Sequence, residues 1–126
     1  MMWPCLIFGI WCTVTGPATV HDGDTFYVAG HAIRLAGIDA EELKEPHGDM
    51  ARRVMEAIVG KADVTCHVTG KSYKRYVAQC SIAGVDIGEM IVRAGVALDC
   101  AHYSGGRYRK FEPSGARQRL IQKPYC

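Results

Sequence analysis

The order in which strand-forming and helix-forming segments alternate restricts the fold more than any other feature of this 126-residue sequence. Short runs rich in β-branched and aromatic residues, bounded by glycine and proline, indicate strands. Apolar residues at helical spacing, followed by Gly60, indicate a helix between the third and fourth strands. The sequence predicts strands at residues 14–21, 25–28, 32–38, 64–68 and 76–82, and helices at 48–59 and 86–94, with a broken helical region at 107–122 that contains Pro113 and Gly115.

Five short strands with a helix between the third and fourth are typical of a small Greek-key barrel of the OB type. We therefore predict an α+β fold, namely a five-stranded OB-type β-barrel with about three helices. Gly16 and Pro17 interrupt the first strand and favour an edge position for it. The length fits one domain, which we assign to residues 14–126 after an apolar leader at residues 1–13.

The first twelve residues contain no charged side chain and resemble the apolar core of an export signal, although no basic residue precedes them. They are too short for a membrane span of ~20 residues. Six cysteines without a C-x-x-C pair favour disulfides or buried thiols over a structural zinc site. We expect an exported protein, periplasmic or secreted; the alternative is a membrane-associated or buried segment at residues 1–12.

Two of the cysteines, Cys66 and Cys80, lie symmetrically about residue 73 in the polar loop 70–74. A hairpin centred there places them directly opposite each other, at a separation slightly wider than a disulfide prefers. We predict a bridge between them, with two packed thiols as the alternative. A second bridge, between Cys100 and Cys126, is also predicted.

The charges are unevenly distributed although the net charge is only +2. Residues 101–126 contain six basic residues and one acidic residue, whereas residues 41–50 contain four acidic residues and one lysine. A basic face beside an acidic pocket suits a protein that holds a polyanion and a cation together. A solvated basic helix explains the charge pattern equally well.

Asp24, Arg34 and Asp39 are the first candidates for a functional site. A hairpin turning at Gly30 pairs Asp24 with Ala36 and places Arg34 diagonally on the same face of the sheet, ~7–8 Å away. Asp39 follows just beyond that strand. The sequence therefore predicts two carboxylates and a guanidinium at one edge of the sheet.

The combination of motifs is more specific than any single residue. It comprises V-x-D-G-D-T at residues 20–25, I-R-L-x-G-I-D-A-x-E at 33–42, Y-x-R at 73–75 and the segment from 87 to 108. These motifs resemble the thermonuclease (staphylococcal-nuclease-like) family, in particular its small exported bacterial members, over residues 14–122. The resemblance implies an OB-type barrel with three helices.

It also implies a Ca²⁺-dependent nuclease acting on single-stranded DNA or RNA, with no stable protein partner and a monomeric state. By the same resemblance, Asp24, Asp39 and the carbonyl of Ala40 are metal ligands, Arg34 and Arg75 hold the scissile phosphate, and Glu42 activates water. Tyr73, Tyr103 and Tyr108 are implied near the nucleotide. Two residues depart from the family pattern: Glu41 replaces a proline and could compete as the base, and Lys74 replaces a glycine.

Other interpretations remain open at the level of sequence. A non-catalytic OB module that binds nucleic acid or a protein is the main alternative, because fold alone does not specify function. A disulfide-stabilised structural domain would explain the cysteines but not the charged motifs. Tyr103 and Tyr108 are equally consistent with packing of the last helix. The five histidines show no ligand spacing, which disfavours a histidine-based nuclease or a zinc hydrolase.

Overall fold

The structure is a computed structural model that describes residues 12–126. Its strands and helices follow the predicted order, with additional short elements. The strands are β1 (Thr13–Asp22), β2 (Thr25–Val28), β3 (His31–Leu35), β4 (Ile38–Ala40), β5 (Asp63–Ser72), β6 (Arg75–Ile82), β7 (Val85–Asp86) and β8 (Ala97–Asp99). The helices are α1 (Gly48–Val59), α2 (Ile87–Arg93), α3 (Ala101–Ser104) and α4 (Ala116–Arg119), with a 3-10 helix at Arg109–Phe111.

Strand β1 lies inside the sheet, so the predicted edge position is wrong. Its first half pairs with β5 from Thr13 to Pro17, and its second half pairs with β2 from Ala18 onwards. The partner changes at Gly16 and Pro17, the residues that suggested an edge. Proline lacks a backbone donor and is tolerated here because the ladder to one neighbour ends where the other begins.

The sheet closes into a barrel, which confirms the predicted α+β fold. The strand order is β3-β2-β1-β5-β6-β7, and β3 also pairs in parallel with β6. Strands β1, β2, β3, β5 and β6 therefore form a closed five-stranded barrel. The predicted third strand is divided in two by a turn at Ala36–Gly37, and its second part, β4, pairs with β8 instead.

The core fills the barrel and continues beneath α1. Phe26, Ile33 and Leu35 from the β2–β3 hairpin are almost completely buried, as are Ala51 and Met55 from α1. Each fully buried side chain of the larger kind contributes about 1.5–3 kcal/mol of stability. Helical spacing of Met50, Val54, Met55 and Ile58 in the sequence predicts the buried face of α1. At its start this face differs: Met50 is 56% exposed, and Ala51 packs against the barrel instead.

The β5–β6 hairpin is longer than predicted. Its turn contains only Tyr73 and Lys74, because a bulge at Thr69 shifts the register by one residue between the cysteines and the turn. Cys66 and Cys80 pair directly across the strands and form a disulfide, as predicted. Both are buried in the barrel interior, so the bridge is also part of the core.

The end of the chain is irregular where a broken helical region was predicted. Pro113 separates the 3-10 helix from α4, since proline removes the amide that would continue the first helix. The second predicted disulfide, Cys100–Cys126, is present, and no described cysteine is a free thiol. Disulfides of this kind indicate folding in an oxidising environment.

Most of the predicted leader, residues 1–11, lies outside the described residues. Thr13, which the prediction assigned to the leader, is already the first residue of β1. Within residues 12–126, no helix is both long enough and apolar enough to cross a membrane.

Candidate active site

The turn Asp22–Gly23–Asp24 lies flat against the neighbouring elements, and Gly23 makes this possible. A Cβ atom at Gly23 would lie 2.7 Å from the Cβ atoms of both Ala40 and Ala51, closer than real Cβ atoms approach. The amide of Asp24 donates to Asp22 Oδ1 at 3.2 Å. The turn is thus pressed between β4 and α1, which brings the Asp24 carboxylate to the end of β4.

The carboxylate of Asp24 joins three chain segments. The amide of Ala40 donates to its Oδ2 at 3.0 Å, and Thr25 Oγ1 donates to its Oδ1 at 3.1 Å. Nη1 of Arg34 lies 3.4 Å from Oδ2. These contacts bring Asp24 together with Arg34, the pair that the hairpin argument placed on one face, and with the backbone of Ala40.

The predicted hairpin register was nevertheless wrong by one residue. Arg34 pairs with Thr25, and the amide of Leu35 donates to the carbonyl of Asp24. The side chains still meet because Asp24 belongs to the turn before β2, where strict alternation of side chains does not apply. The long arginine side chain covers the remaining distance.

Asp39 lies on β4, where it pairs with Leu98 of β8, and it is 4% exposed. The amide of Lys123 donates to its Oδ2 at 2.9 Å, while its Oδ1 is buried and has no hydrogen-bond partner among residues 12–126. An unsatisfied buried carboxylate oxygen is costly unless something binds it. This oxygen is therefore a candidate ligand for a cation.

Burial and crowding of carboxylates shift the pKa values at the site. Burial, followed by repulsion from Asp24, raises the pKa of Asp22 to about 6. Burial also raises the pKa of Asp39 above its ordinary value, and the Lys123 amide only partly offsets this. Burial alone would lower the pKa of Arg34, but the Asp24 carboxylate and then the Tyr125 side chain raise it. A bound cation would relieve the repulsion among these carboxylates.

Glu42 and Glu41 are adjacent but have opposite surroundings. Glu42 is exposed, and its carboxylate accepts no hydrogen bond from the described part of the chain. Glu41 is 2% exposed and accepts from the amide and ring Nδ1 of His47, at 3.1 and 2.6 Å, and from the amide of Ile121 at 3.1 Å. Burial would raise the pKa of Glu41, but these hydrogen bonds lower it. Glu41 therefore fastens the loop, which argues against its competing as a base.

Gly48 allows this loop to lie close against the start of α1. A Cβ atom there would lie 1.7 Å from the carbonyl oxygen of Glu42. Glu45 adds two bonds within the loop: its Oε1 accepts from the amide of Glu42 at 2.6 Å, and its own amide donates to the carbonyl of Glu42 at 2.8 Å. The position of Glu42 is thus determined by the start of the helix.

All six groups assigned to metal or catalysis line one small cavity of about 70 Å³, which we call the acidic cavity. Arg75, the first residue of β6, completes the set. The remaining lining residues are Asp22, Lys123 and Tyr125. The full lining is therefore Asp22, Asp24, Arg34, Asp39, Ala40, Glu42, Arg75, Lys123 and Tyr125.

A larger groove of about 540 Å³ adjoins the acidic cavity. The two share Asp22, Glu42 and Arg75. The groove runs over the outer face of β2 and β3, where Tyr27 is 44% exposed, and its rim includes Lys44 and Lys74. A groove lined by an exposed aromatic ring and by two lysines is a surface that suits a nucleic-acid strand.

The three tyrosines implied near the nucleotide have different positions. Tyr73 is 94% exposed at the tip of the β5–β6 hairpin and lines neither cavity. Tyr103 is exposed on α3, with its ring 6.4 Å from that of Tyr125, which lines the acidic cavity.

Tyr108 is not available for stacking on a base. It is only 3% exposed, and its hydroxyl donates to Asp86 Oδ2 at 2.8 Å. Burial raises its pKa to about 12. The ring packs over Gly88 at the start of α2, and not against the last helix as the packing interpretation expected.

Sequence reasoning missed Lys123 and Tyr125 as site residues. No local motif surrounds them, and Lys123 lies 84 residues beyond Asp39, which accepts its amide proton. The cysteine that follows them is the only signal, since a bridge from Cys126 to Cys100 returns the segment to the barrel. Among residues 12–126, no three His, Cys, Asp or Glu side chains converge into a metal cluster by themselves. A cation here would therefore need carbonyl and water ligands as well, which Ca²⁺ accepts.

The fold and the cavity define a class: an OB-type α+β barrel whose acidic site is lined by arginines. The family profile described as "Staphylococcal nuclease homologue" matches residues 32–119, and the chain belongs to that family.

Two curated relatives have similar sequences. The chain is 31% identical over 104 residues to the probable staphylococcal-like nuclease CAN4 of Oryza sativa subsp. japonica, an alignment that covers 75% of this chain and 21% of the relative. It is 30% identical over 99 residues to the succinoglycan biosynthesis protein ExoI of Rhizobium meliloti (strain 1021), covering 68% of this chain and 52% of the relative. The chain thus spans about half or less of the length of these relatives.

Proposed function

We propose that this protein is a Ca²⁺-dependent nuclease that hydrolyses phosphodiester bonds in DNA or RNA. The observation that carries the proposal is the meeting of two buried aspartates, two arginines and an exposed glutamate in one cavity. Membership of the nuclease family supports the same reaction class.

Asp24, Asp39 and the carbonyl of Ala40 would hold the metal. Three observations fit a cation: the orphaned Oδ1 of Asp39, the raised pKa values of Asp22 and Asp39, and the hard oxygen character of the donors. When bound, Ca²⁺ would act as a Lewis acid on a phosphate oxygen and orient the substrate.

Arg34 and Arg75 would both bind the scissile phosphate. Arg34 lies on β3 and Arg75 on β6, which are paired neighbours in the barrel. Guanidinium groups match phosphate geometry bidentately and stabilise the charge that builds up at phosphorus. Glu42 would take the proton of the attacking water, because its carboxylate is exposed, unpaired and part of both cavities.

The substrate would approach along the groove. A single strand fits best, because its unpaired bases can stack on an exposed aromatic ring such as Tyr27 while Lys44 and Lys74 face its phosphates. Tyr73 and Tyr103 are exposed and would provide outer contacts on either side. We further propose that the protein is an exported monomer; its disulfides support the exported location.

The first prediction concerns the metal. Purified protein should degrade single-stranded DNA or RNA in millimolar Ca²⁺ and stop when a chelator is added, because the two aspartates act only through the cation. Release of acid-soluble nucleotides measures this. Full activity in chelator would refute the metal requirement.

The second candidate function is a non-catalytic OB module that binds nucleic acid or a protein. It is favoured by the lack, among the described residues, of a complete three-side-chain metal cluster. Binding of an oligonucleotide without cleavage in any divalent ion would support this module over the nuclease.

A further inference from the structure

Residues 121–126, which we call the strap, contribute Lys123 and Tyr125 to the lining of the acidic cavity. Two anchors fasten the strap to Asp99, the last residue of β8, and to the residues that follow it. Near one end, the side-chain amide of Gln122 donates to the carbonyl of Asp99 at 2.7 Å. At the other end, Cys126 forms the disulfide with Cys100, and its carbonyl accepts the amide of His102 at 3.1 Å.

The strap also makes three hydrogen bonds to β4 and to the loop that follows it. The amide of Lys123 donates to Asp39 Oδ2, and the amide of Ile121 donates to Glu41 Oε2. Nζ of Lys123 lies 2.6 Å from Oε1 of Glu45. The strap therefore holds both β4 and the loop that carries Glu42.

The bond to Asp39 has a consequence for cation binding. It occupies Oδ2 and fixes the rotation of the carboxylate, so that Oδ1 is the oxygen left without a hydrogen-bond partner from residues 12–126. Removal of a group that orients a metal ligand in this way typically weakens metal binding 10–100-fold.

Tyr125 is the second residue of the strap that lines the acidic cavity. Its side chain lines the cavity together with Arg34 and contributes to the raised pKa of that arginine. The strap thus reaches a proposed metal ligand and a proposed phosphate ligand within three residues of its own sequence.

We propose that the strap is a positioning element, in which the amide of Lys123 orients Asp39 and the Cys100–Cys126 disulfide holds the strap in place for Ca²⁺ binding. This inference rests on the proposed function, because it assumes that Asp39 binds the metal. Lys123 is not assigned to chemistry; it acts through Asp39.

The experiment measures the Ca²⁺ dissociation constant by calorimetry on the full chain and on Cys100→Ala/Cys126→Ala. We expect the variant to keep its far-UV circular dichroism spectrum and to bind Ca²⁺ about 10–100-fold more weakly. The matched control is Cys66→Ala/Cys80→Ala, which removes the other disulfide. It should lose thermal stability but keep its Ca²⁺ affinity when measured well below its melting midpoint.

A second pair of variants tests the backbone amide of Lys123 itself. This pair also tests the proposal if the disulfide variant does not fold. Lys123→Pro removes the N–H that Asp39 accepts, whereas Lys123→Ala keeps that N–H and removes only the ammonium group. We expect Lys123→Pro to bind Ca²⁺ at least about tenfold more weakly than Lys123→Ala.

The outcomes separate the two proposals. Ca²⁺ affinity within twofold of the original in the folded disulfide variant, equal losses in both disulfide variants, or equal affinity of the two Lys123 variants would overturn the strap alone. Failure of the unaltered protein to bind Ca²⁺ would overturn the proposed metal site and the strap together.

Discussion

At the scale of single residues, two adjacent glutamates show how surroundings separate roles. Glu41 is buried and accepts three hydrogen bonds, whereas Glu42 is exposed and its carboxylate accepts none from the described part of the chain. A general base needs a free carboxylate within reach of water, and a buried, hydrogen-bonded carboxylate holds structure instead. The two positions should therefore respond differently to the same substitution.

Glu42→Gln should lower turnover by at least ~10²-fold and leave oligonucleotide binding largely intact, because a lost base acts on the transition state. Steady-state cleavage and fluorescence anisotropy measure the two effects. Glu41→Gln is the matched comparison and should mainly lower thermal stability, since it weakens a buried hydrogen-bond cluster. A silent Glu42→Gln together with a strongly impaired but folded Glu41→Gln would reverse the assignment of the base.

The arginines provide a second prediction at this scale. Arg34→Ala and Arg75→Ala should each lower kcat/KM, and Arg34→Lys and Arg75→Lys should not restore it, because lysine lacks the bidentate fork. Arg53→Ala on the exposed face of α1 is a suitable control, since that side chain only pairs with Asp49 at the surface. Restoration of the rate by lysine would indicate that charge alone matters at the site.

At the scale of elements, the start of α1 and the loop before it act as one unit. Gly48 lies directly beneath the carbonyl of Glu42, and hydrogen bonds between Glu42 and Glu45 close the loop onto the helix. The helix therefore positions the glutamate through backbone contact, without touching its side chain. Rigid elements position functional loops in this way in many folds.

Gly48→Ala should lower activity at least about tenfold and cost roughly 1–3 kcal/mol of stability, because the new methyl group would displace the backbone of Glu42. Cleavage rates and urea denaturation report the two effects. Gly70→Ala is the matched control, because nothing lies within 4 Å of its added Cβ. Unchanged activity in Gly48→Ala would show that the loop does not need this contact.

At the scale of the whole molecule, stability depends on closing a barrel whose first strand serves two partners. The pairing of β3 with β6 joins strands that are distant in sequence, and the β5–β6 hairpin lies at that closure. The Cys66–Cys80 disulfide staples this hairpin within the core.

Cys66→Ala/Cys80→Ala should lower the free energy of unfolding by ~3 kcal/mol, the value that chain entropy gives for a loop of about 15 residues. Urea denaturation monitored by circular dichroism measures it, with the oxidised protein as the reference. A decrease in the free energy of unfolding below ~0.5 kcal/mol would mean that the barrel closure is stable without this disulfide.

The sequence by itself determined the element order and the local motifs of the site. Helix α1 and strand β2 appear at the predicted residues because their signals are local: helical spacing before Gly60, and a β-branched and aromatic run between turns. Cys66 and Cys80 do lie opposite each other, but the sequence argument assumed a hairpin centred on residue 73; the turn is centred between Tyr73 and Lys74, and the bulge at Thr69 restores the predicted pairing. Asp24, Arg34, Asp39 and Glu42 were found because they lie within nineteen consecutive residues.

Only the tertiary structure decided how these parts meet. The position of β1 inside the barrel depends on β5, whose pairing with it no local pattern encodes. The burial of Tyr108 depends on its packing against α2. The hydrogen bond from Lys123 to Asp39 joins residues that are 84 positions apart in the sequence. Propensity and periodicity report on neighbours in sequence, whereas closure of a barrel brings together residues that are neighbours only in space.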